Sequence, residues 1–209
     1  VSVVRLLLAT RNTSKLTELR RILALSDLGG VQVIGLGDVP PFPEAPEAGV
    51  TFEDNALAKA RDGAAATGLA TVADDSGLEV DALNGMPGVL SARWAGRHGD
   101  DAANLQLVLD QLTDVPDDRR GAAFVCAAAL VVPDATETVV RARWRGTLTR
   151  AARGSNGFGY DPIFVPAGET RTSAELEPAE KDAVSHGGLA VRAGGPAVRA
   201  LLSDRGVSA

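Results

Sequence analysis

Residues 122–132, AAFVCAAALVV, form the longest uninterrupted apolar run in the chain, 11 residues in all. A membrane-spanning helix needs about 20, so the run reads as a strand buried inside a soluble domain. A chain of 209 residues, 45% of them hydrophobic, is long enough to cover such a strand, as one large domain or two small lobes. The single cysteine, Cys126, lies within the run and has no second cysteine to pair with, which fits a reducing, cytoplasmic compartment. The opening Val1-Ser2-Val3-Val4-Arg5 does not read as a signal peptide. Asp and Glu number 27 against 21 Lys and Arg, a formal charge of −6, and aromatics make up 4%. Such a chain is a poor binder of polynucleotide phosphate and offers no long stacking platform. A pocket for a small anion needs only a few residues and remains open.

Upstream of that strand the hydrophobic period switches repeatedly. Residues 3–9 (VVRLLLA) read as a buried strand, followed by the polar loop 10–14 and a helix from Lys15 with Leu16, Leu19, Ile22 and Leu23 on one face. Residues 31–36 read as a second strand and the Pro-rich stretch 37–49 as a loop. Thr51-Phe52-Glu53-Asp54 has the form of a capping box, opening a helix to about Thr67 with Gly68 as its stop. Residues 69–73 read as a strand that ends in the turn residues Asp74-Asp75-Ser76-Gly77. Residues 100–112 are helical, with Leu105, Val108, Leu109 and Leu112 as the buried stripe. Residues 122–132 and 138–148 form a hairpin across Pro133-Asp134, residues 154–161 a glycine-rich loop, and Pro178 opens a last short helix. Strands alternating with helices and then a hairpin predict an α/β fold with a mixed sheet.

Several groups of residues can carry chemistry. The loop Thr10-Arg11-Asn12-Thr13-Ser14 leads into a helix whose first turn holds Lys15, a cation at the positive end of the helix dipole. A bound phosphate would relieve that conflict; a polar turn capped by Asn12 or Ser14 is the plainer reading. Asp74 and Asp75 beyond a strand can hold Mg²⁺ or take a proton from water, or simply form a turn. Asn55 and Lys59 are four apart and share a helical face. That face can look into the same cleft as Asp74 and Asp75 or be an ordinary solvated surface; without a fold, the two residues read with Glu53, Glu44 and Glu47 as solvent-exposed. In Ser155-Asn156-Gly157-Phe158-Gly159-Tyr160-Asp161 the glycines let backbone approach a flat ligand and the two rings can stack on it. Arg141, Arg143 and Arg145 alternate along a strand and read as a solvated or subunit-contact face.

Taken in order, LLLATRNTSKLTEL, TFEDNALAKA, ADDSGLEVDALNGMPGVLSAR, GFGYDPIF and AEKDAVSH resemble the house-cleaning nucleoside triphosphate pyrophosphatases of the inosine/xanthosine triphosphate family, from Val3 to His186. The resemblance implies Mg²⁺-dependent hydrolysis of ITP, dITP and XTP to monophosphate and pyrophosphate. It also implies a single domain over residues 1–209, an elongated two-lobed α/β molecule with a long mixed sheet flanked by helices and an active-site cleft between the lobes, and a homodimer. By position, Thr10 to Lys15 would cradle the triphosphate. Asp75 would be general base and magnesium ligand, Ser76 a substrate contact, and Glu47 the second metal ligand, with Glu44 as the alternative. Phe158, Gly159, Tyr160 and Asp161 would enclose the base, with Lys181 and His186 beside it. Backbone donors near Phe158, with His186, are expected to read the 6-oxo group.

The chain departs from the family at one place. Ser185-His186 is followed by Gly187-Gly188 where Arg is usual, and Gly194-Gly195-Pro196 interrupts the expected C-terminal helix, which makes residues 187–209 atypical. Two other functions remain compatible with the residues: a pyrophosphatase for modified pyrimidine nucleotides, and a non-catalytic nucleotide-binding protein. A P-loop kinase is disfavoured, because the GxxxxGK spacing is absent.

Overall fold

The computed structural model describes residues 4–11, 17, 31–43 and 46–185. These contain six strands: β1 (Val4–Leu8), β2 (Val31–Gly35), β3 (Ala70–Val80), β4 (Gly121–Val131), β5 (Glu137–Leu148) and β6 (Phe164–Pro166). They also contain three helices, α1 (Phe52–Thr67), α2 (Asp101–Gln111) and α3 (Pro178–Val184). The strands form one sheet in the order β2-β1-β3-β4-β5-β6. β1 runs parallel to β2 and β3, whereas β5 and β6 are antiparallel, so the sheet is mixed as the alternation of elements predicts. All but the last residue of the apolar run lie in β4, almost wholly buried, and no helix among the described residues is long and apolar enough to cross a membrane. The described residues group into two compact units, residues up to 75 with 126–142, and residues 76–125 with 143–186.

In the first unit, Val4, Leu6, Ala70, Leu130 and Val132 make a small aliphatic core. The start of α1 is set by local chemistry. Thr51 Oγ1 accepts from Asp54 N at 3.1 Å, and Asp54 Oδ2 accepts from Thr51 N at 3.1 Å. Such a reciprocal cap stabilises a helix by about 1 kcal/mol. Gly68 ends the helix in the left-handed conformation (φ 67°) and donates its N–H to Ala64 O. The face that α1 buries is made mostly of small residues, Ala56, Ala60, Gly63 and Ala64, together with Phe52 and Asn55. A Cβ on Gly63 would lie 2.8 Å from Thr71 Cγ2, so helix and strand approach more closely than any larger residue would allow.

The second unit has an aromatic cluster in its core. Phe124, Trp144 and Phe164 pack together, with ring centroids 4.7 Å apart for Phe124–Phe164 and 5.3 Å for Trp144–Phe164. Burying each such ring contributes about 1.5–3 kcal/mol. Val108 of α2 and Leu112, the residue that caps its end, are fully buried, and Leu105 and Leu109 pack beside them, as the stripe predicts. Arg120 is buried too, a placement its sequence context does not announce. Its guanidinium donates to the carbonyls of Leu112, Leu148 and Thr149 at 2.7–2.9 Å. Burial pushes its pKa down, and the carbonyls replace the water it has lost.

Two expectations need correction. Asp74-Asp75-Ser76-Gly77 is no turn: β3 runs unbroken from Ala70 to Val80. Turn propensity is overridden because the apolar residues Leu78 and Val80 continue the strand into the core. Gly77 is there for space, since a Cβ would meet Ser91 Oγ and lie 2.6 Å from Gly88 O. The alternating arginines of β5 are exposed as expected, but each is paired within the chain. Arg141 meets Glu53 at 3.1 Å, Arg143 meets Glu79 at 2.9 Å and Arg145 meets Asp81 at 2.6 Å. The two-bonded Arg145 contact holds the Asp81 carboxyl below the usual carboxylate range.

Candidate active site

Within the first unit, Asp75 lies midway along β3 and is 7% exposed. Two residues of α1, one helical turn apart, reach its carboxylate. Asn55 Nδ2 donates to Asp75 Oδ2 at 3.0 Å. Lys59 Nζ donates to Asp75 Oδ1 at 3.4 Å and to the Asp74 carbonyl at 3.1 Å. The same ammonium pairs with Glu47 Oε1 at 2.6 Å. Two carboxylates therefore converge on one cation. Their oxygens form the donor set that a hard divalent ion accepts, and Mg²⁺ takes one or two carboxylates while keeping waters and substrate phosphates. Among the described residues no three His, Cys, Asp or Glu side chains gather for a metal.

A second cluster, in the second unit, is built around Asp161, which is 2% exposed. Its Oδ2 accepts from Phe158 N at 2.8 Å and from Lys181 Nζ at 2.6 Å, and its Oδ1 accepts from Ser173 Oγ at 2.7 Å. Gly157 makes the tight loop possible: its φ is 79°, and a Cβ there would run into Asp161 Oδ2. Lys181 Nζ also stands 5.1 Å from the centroid of the Phe158 ring, within cation–π range. Asn156 ties the loop to the segment behind it, through N to Ala174 O at 3.0 Å and Nδ2 to Leu176 O at 3.0 Å. Tyr160 is part of the core, and its hydroxyl donates to Ser91 O at 2.8 Å. Burial, helped by the Asp101 charge, pushes its phenol pKa well up.

These positions sort the sequence expectations. Glu47 and Asp75 are brought together through Lys59, and Ser76, half-buried, follows Asp75 along β3. Thr10 and Arg11 follow β1, the first half-buried and the second exposed. Asn12, Thr13, Ser14, Lys15, Glu44, His186 and Gly187 lie outside the described residues. Phe158, Asp161 and Lys181 form one cluster, whereas the Tyr160 ring supports the loop from the core. The expected backbone donors are already engaged: Phe158 N–H is on Asp161, and Gly159 N–H is on Asp101 Oδ2 at 2.8 Å. Lys181 offers a donor instead, because its ammonium carries three N–H groups and has one hydrogen-bond acceptor among the described residues.

Asn55 and Lys59, expected in solvent, are the residues that the sequence reading misplaced. A signal for them existed. Residues 55, 59 and 63 form one i, i+4 row, and Gly63 at its end is the flat contact that draws the row onto the sheet.

The sequence model of the Ham1 family matches residues 6–194. A "dITP/XTP pyrophosphatase" of Nocardia farcinica is 66% identical over 205 residues, covering 98% of this chain and 99% of that protein. The protein of the same name from Mycobacterium tuberculosis is 65% identical over 201 residues, 96% of this chain and 98% of its own. The solved structure of a "Nucleoside-triphosphatase / dITP/XTP pyrophosphatase" from Mycobacterium abscessus superposes with a TM-score of 0.75 at 63% identity, covering 90% of this chain and 97% of that one. A HAM1 protein of Coxiella burnetii superposes with a TM-score of 0.82 at 41% identity, covering 96% and 100%. With its sequence matched from the first strand to beyond the last described helix, and its fold shared with these solved structures, the chain belongs to the Ham1 family.

Proposed function

We propose that the protein hydrolyses non-standard purine nucleoside triphosphates, dITP and XTP among them, to the monophosphate and pyrophosphate, with Mg²⁺ as cofactor. The observation that carries this reading is the convergence of Glu47 and Asp75 on the Lys59 ammonium. The names of the full-length relatives supply the substrate class.

Glu47 and Asp75 are the residues that would hold Mg²⁺, whose charge would neutralise phosphate oxygens once bound. Asp75 is the general base. Asn55 holds its Oδ2, so that Oδ1, the oxygen facing Lys59, takes the proton of the attacking water. Lys59 balances negative charge at the same place. Residues 10–15, with Lys15, hold the triphosphate. At the Asp161 cluster the base packs on Phe158, and a free N–H of Lys181 donates to the 6-oxo group. Adenine presents a 6-amino donor there, so donor would face donor, a polar mismatch that discriminates strongly.

A hydrolysis panel tests the reading: dITP, ITP, XTP, the standard triphosphates and modified pyrimidine triphosphates, each with and without Mg²⁺. Pyrophosphate release from the 6-oxo purines, dependent on Mg²⁺, is expected. Preference for modified pyrimidines would move the substrate class, and no release from any triphosphate would leave a nucleotide-binding protein without catalysis.

A further inference from the structure

We propose that Asn55 is a positioning residue that locks the Asp75 carboxylate to the loop bearing Glu47, presetting the two oxygen ligands for a divalent cation; this rests on the reading that Glu47 and Asp75 hold the metal. Asn55 is 2% exposed, and both ends of its amide are engaged. Gly49 N donates to Asn55 Oδ1 at 2.8 Å, while Asn55 Nδ2 donates to Asp75 Oδ2 at 3.0 Å. The orientation of the amide is forced. A backbone N–H can only donate, so the oxygen must face Gly49 and the nitrogen must face the carboxylate.

Gly49 is two residues beyond Glu47, in a segment where Ala48 N closes a tight turn onto Pro46 O at 2.8 Å. The contacts therefore form a closed circuit. Asp75 is held by Asn55, Asn55 by Gly49, Gly49 carries the turn with Glu47, and Glu47 meets Lys59, which returns to Asp75. The circuit also explains why residue 49 is glycine. A Cβ there would lie 2.6 Å from Asn55 Oδ1 and 2.7 Å from Asp54 Cβ, so the close approach requires the missing side chain. A neutral amide suits the role, since it orients the carboxylate by donation without adding a charge that competes for the cation. Groups that orient metal ligands in this way typically carry a tenfold to hundredfold share of metal affinity.

Mn²⁺ titrated alone into the full chain, with free Mn²⁺ read by electron paramagnetic resonance, tests the inference. Wild-type protein is expected to bind Mn²⁺, and Asn55→Ala and Gly49→Ala each to bind it about tenfold more weakly or worse. In turnover, both variants should need correspondingly more Mg²⁺ for half-maximal rate, with kcat largely recovered at saturating Mg²⁺. A residue needed only for folding would lower the active fraction without moving either midpoint. Should Asn55→Ala fail to fold, Gly49→Ala still disturbs the same contact with Asn55 in place. Unchanged Mn²⁺ and Mg²⁺ midpoints in the folded variants would overturn the inference. Absence of Mn²⁺ binding by wild type would instead overturn the metal reading beneath it, so the two failures are told apart by the wild-type titration.

Discussion

Asp75 and Asp161 are both buried aspartates that meet a lysine, yet the two lysines are shared differently. Asp161 has Lys181 at 2.6 Å and two further donors, Phe158 N and Ser173 Oγ, so one carboxylate faces one ammonium and the pair is neutral. Asp75 shares its lysine with Glu47, and the lysine sits closer to Glu47 (2.6 Å) than to Asp75 (3.4 Å). Two carboxylates converge on one ammonium there, and their oxygens are the donor type that a hard divalent cation takes. A short-bonded pair tied to a loop N–H holds backbone in place, whereas two carboxylates gathered on one lysine present oxygens that a cation can take. The same residue type is therefore an anchor in one unit and, on the function proposed above, a reagent in the other.

Replacing the reagent should show the largest effect. Asp75→Asn keeps the shape but cannot accept a proton, and turnover of dITP is expected to fall by about two to four powers of ten. Circular dichroism should show the fold intact, and near-normal turnover would erase the contrast with Asp161. Replacing the anchor should act on stability. Asp161→Ala leaves Lys181 buried without its counter-ion, a change that costs about 3–5 kcal/mol. Urea unfolding checks this, and an unaltered midpoint would show that the pair does not hold the loop.

Lys15→Ala should weaken triphosphate binding by about one to two powers of ten, the usual size of a charge-assisted hydrogen bond. Melting temperature without ligand should not fall, because the sequence reads Lys15 in the first turn of a helix, where a cation opposes the dipole and its removal does not destabilise the free protein. A large drop would make Lys15 an anchor like Lys181.

The smallest effect concerns Tyr160, the only tyrosine in the chain. Tyr160→Phe removes the hydrogen bond to Ser91 O and is expected to cost about 1 kcal/mol. The folded state raises the phenol pKa above its ordinary 10.0, so the native protein keeps a proton that the unfolded chain releases. Stability from this group is complete below pH 10 and is lost as the pH rises beyond it. Thermal melts across that range should show an alkaline decline that shrinks in Tyr160→Phe. An equal decline in both would assign the alkaline loss to other groups.

Much of the fold depends on interactions short in sequence, and those elements were legible. The Thr51–Asp54 box, the Gly68 stop, the stripe of α2 and the apolar run of β4 each follow from neighbours within a turn or from a simple period. The family resemblance carried by motif order named Asp75 and Glu47, with Glu44 as the alternative, and the fold brings the first two together through Lys59. Asn55 and Lys59 were misplaced because the one local signal, Gly63 at the end of their row, marks a close contact without saying what the row meets. Their partner Asp75 is 20 and 16 residues away.

The amino-acid sequence by itself determined the α/β class, the caps and periods of the main elements, and the family with its acidic and aromatic motifs, because all of these are written in local spacing. Only the tertiary structure decided which polar groups meet. Pairing and core packing carried Asp74-Asp75-Ser76-Gly77 through β3 as strand against its turn propensity. Close packing of Gly63 on Thr71 turned Asn55 and Lys59 inward. Asp161 and Asp101 engaged the backbone donors expected to face the base. A buried polar group must find a partner wherever the chain brings one, and that partner can be tens of residues away, where sequence spacing carries no signal.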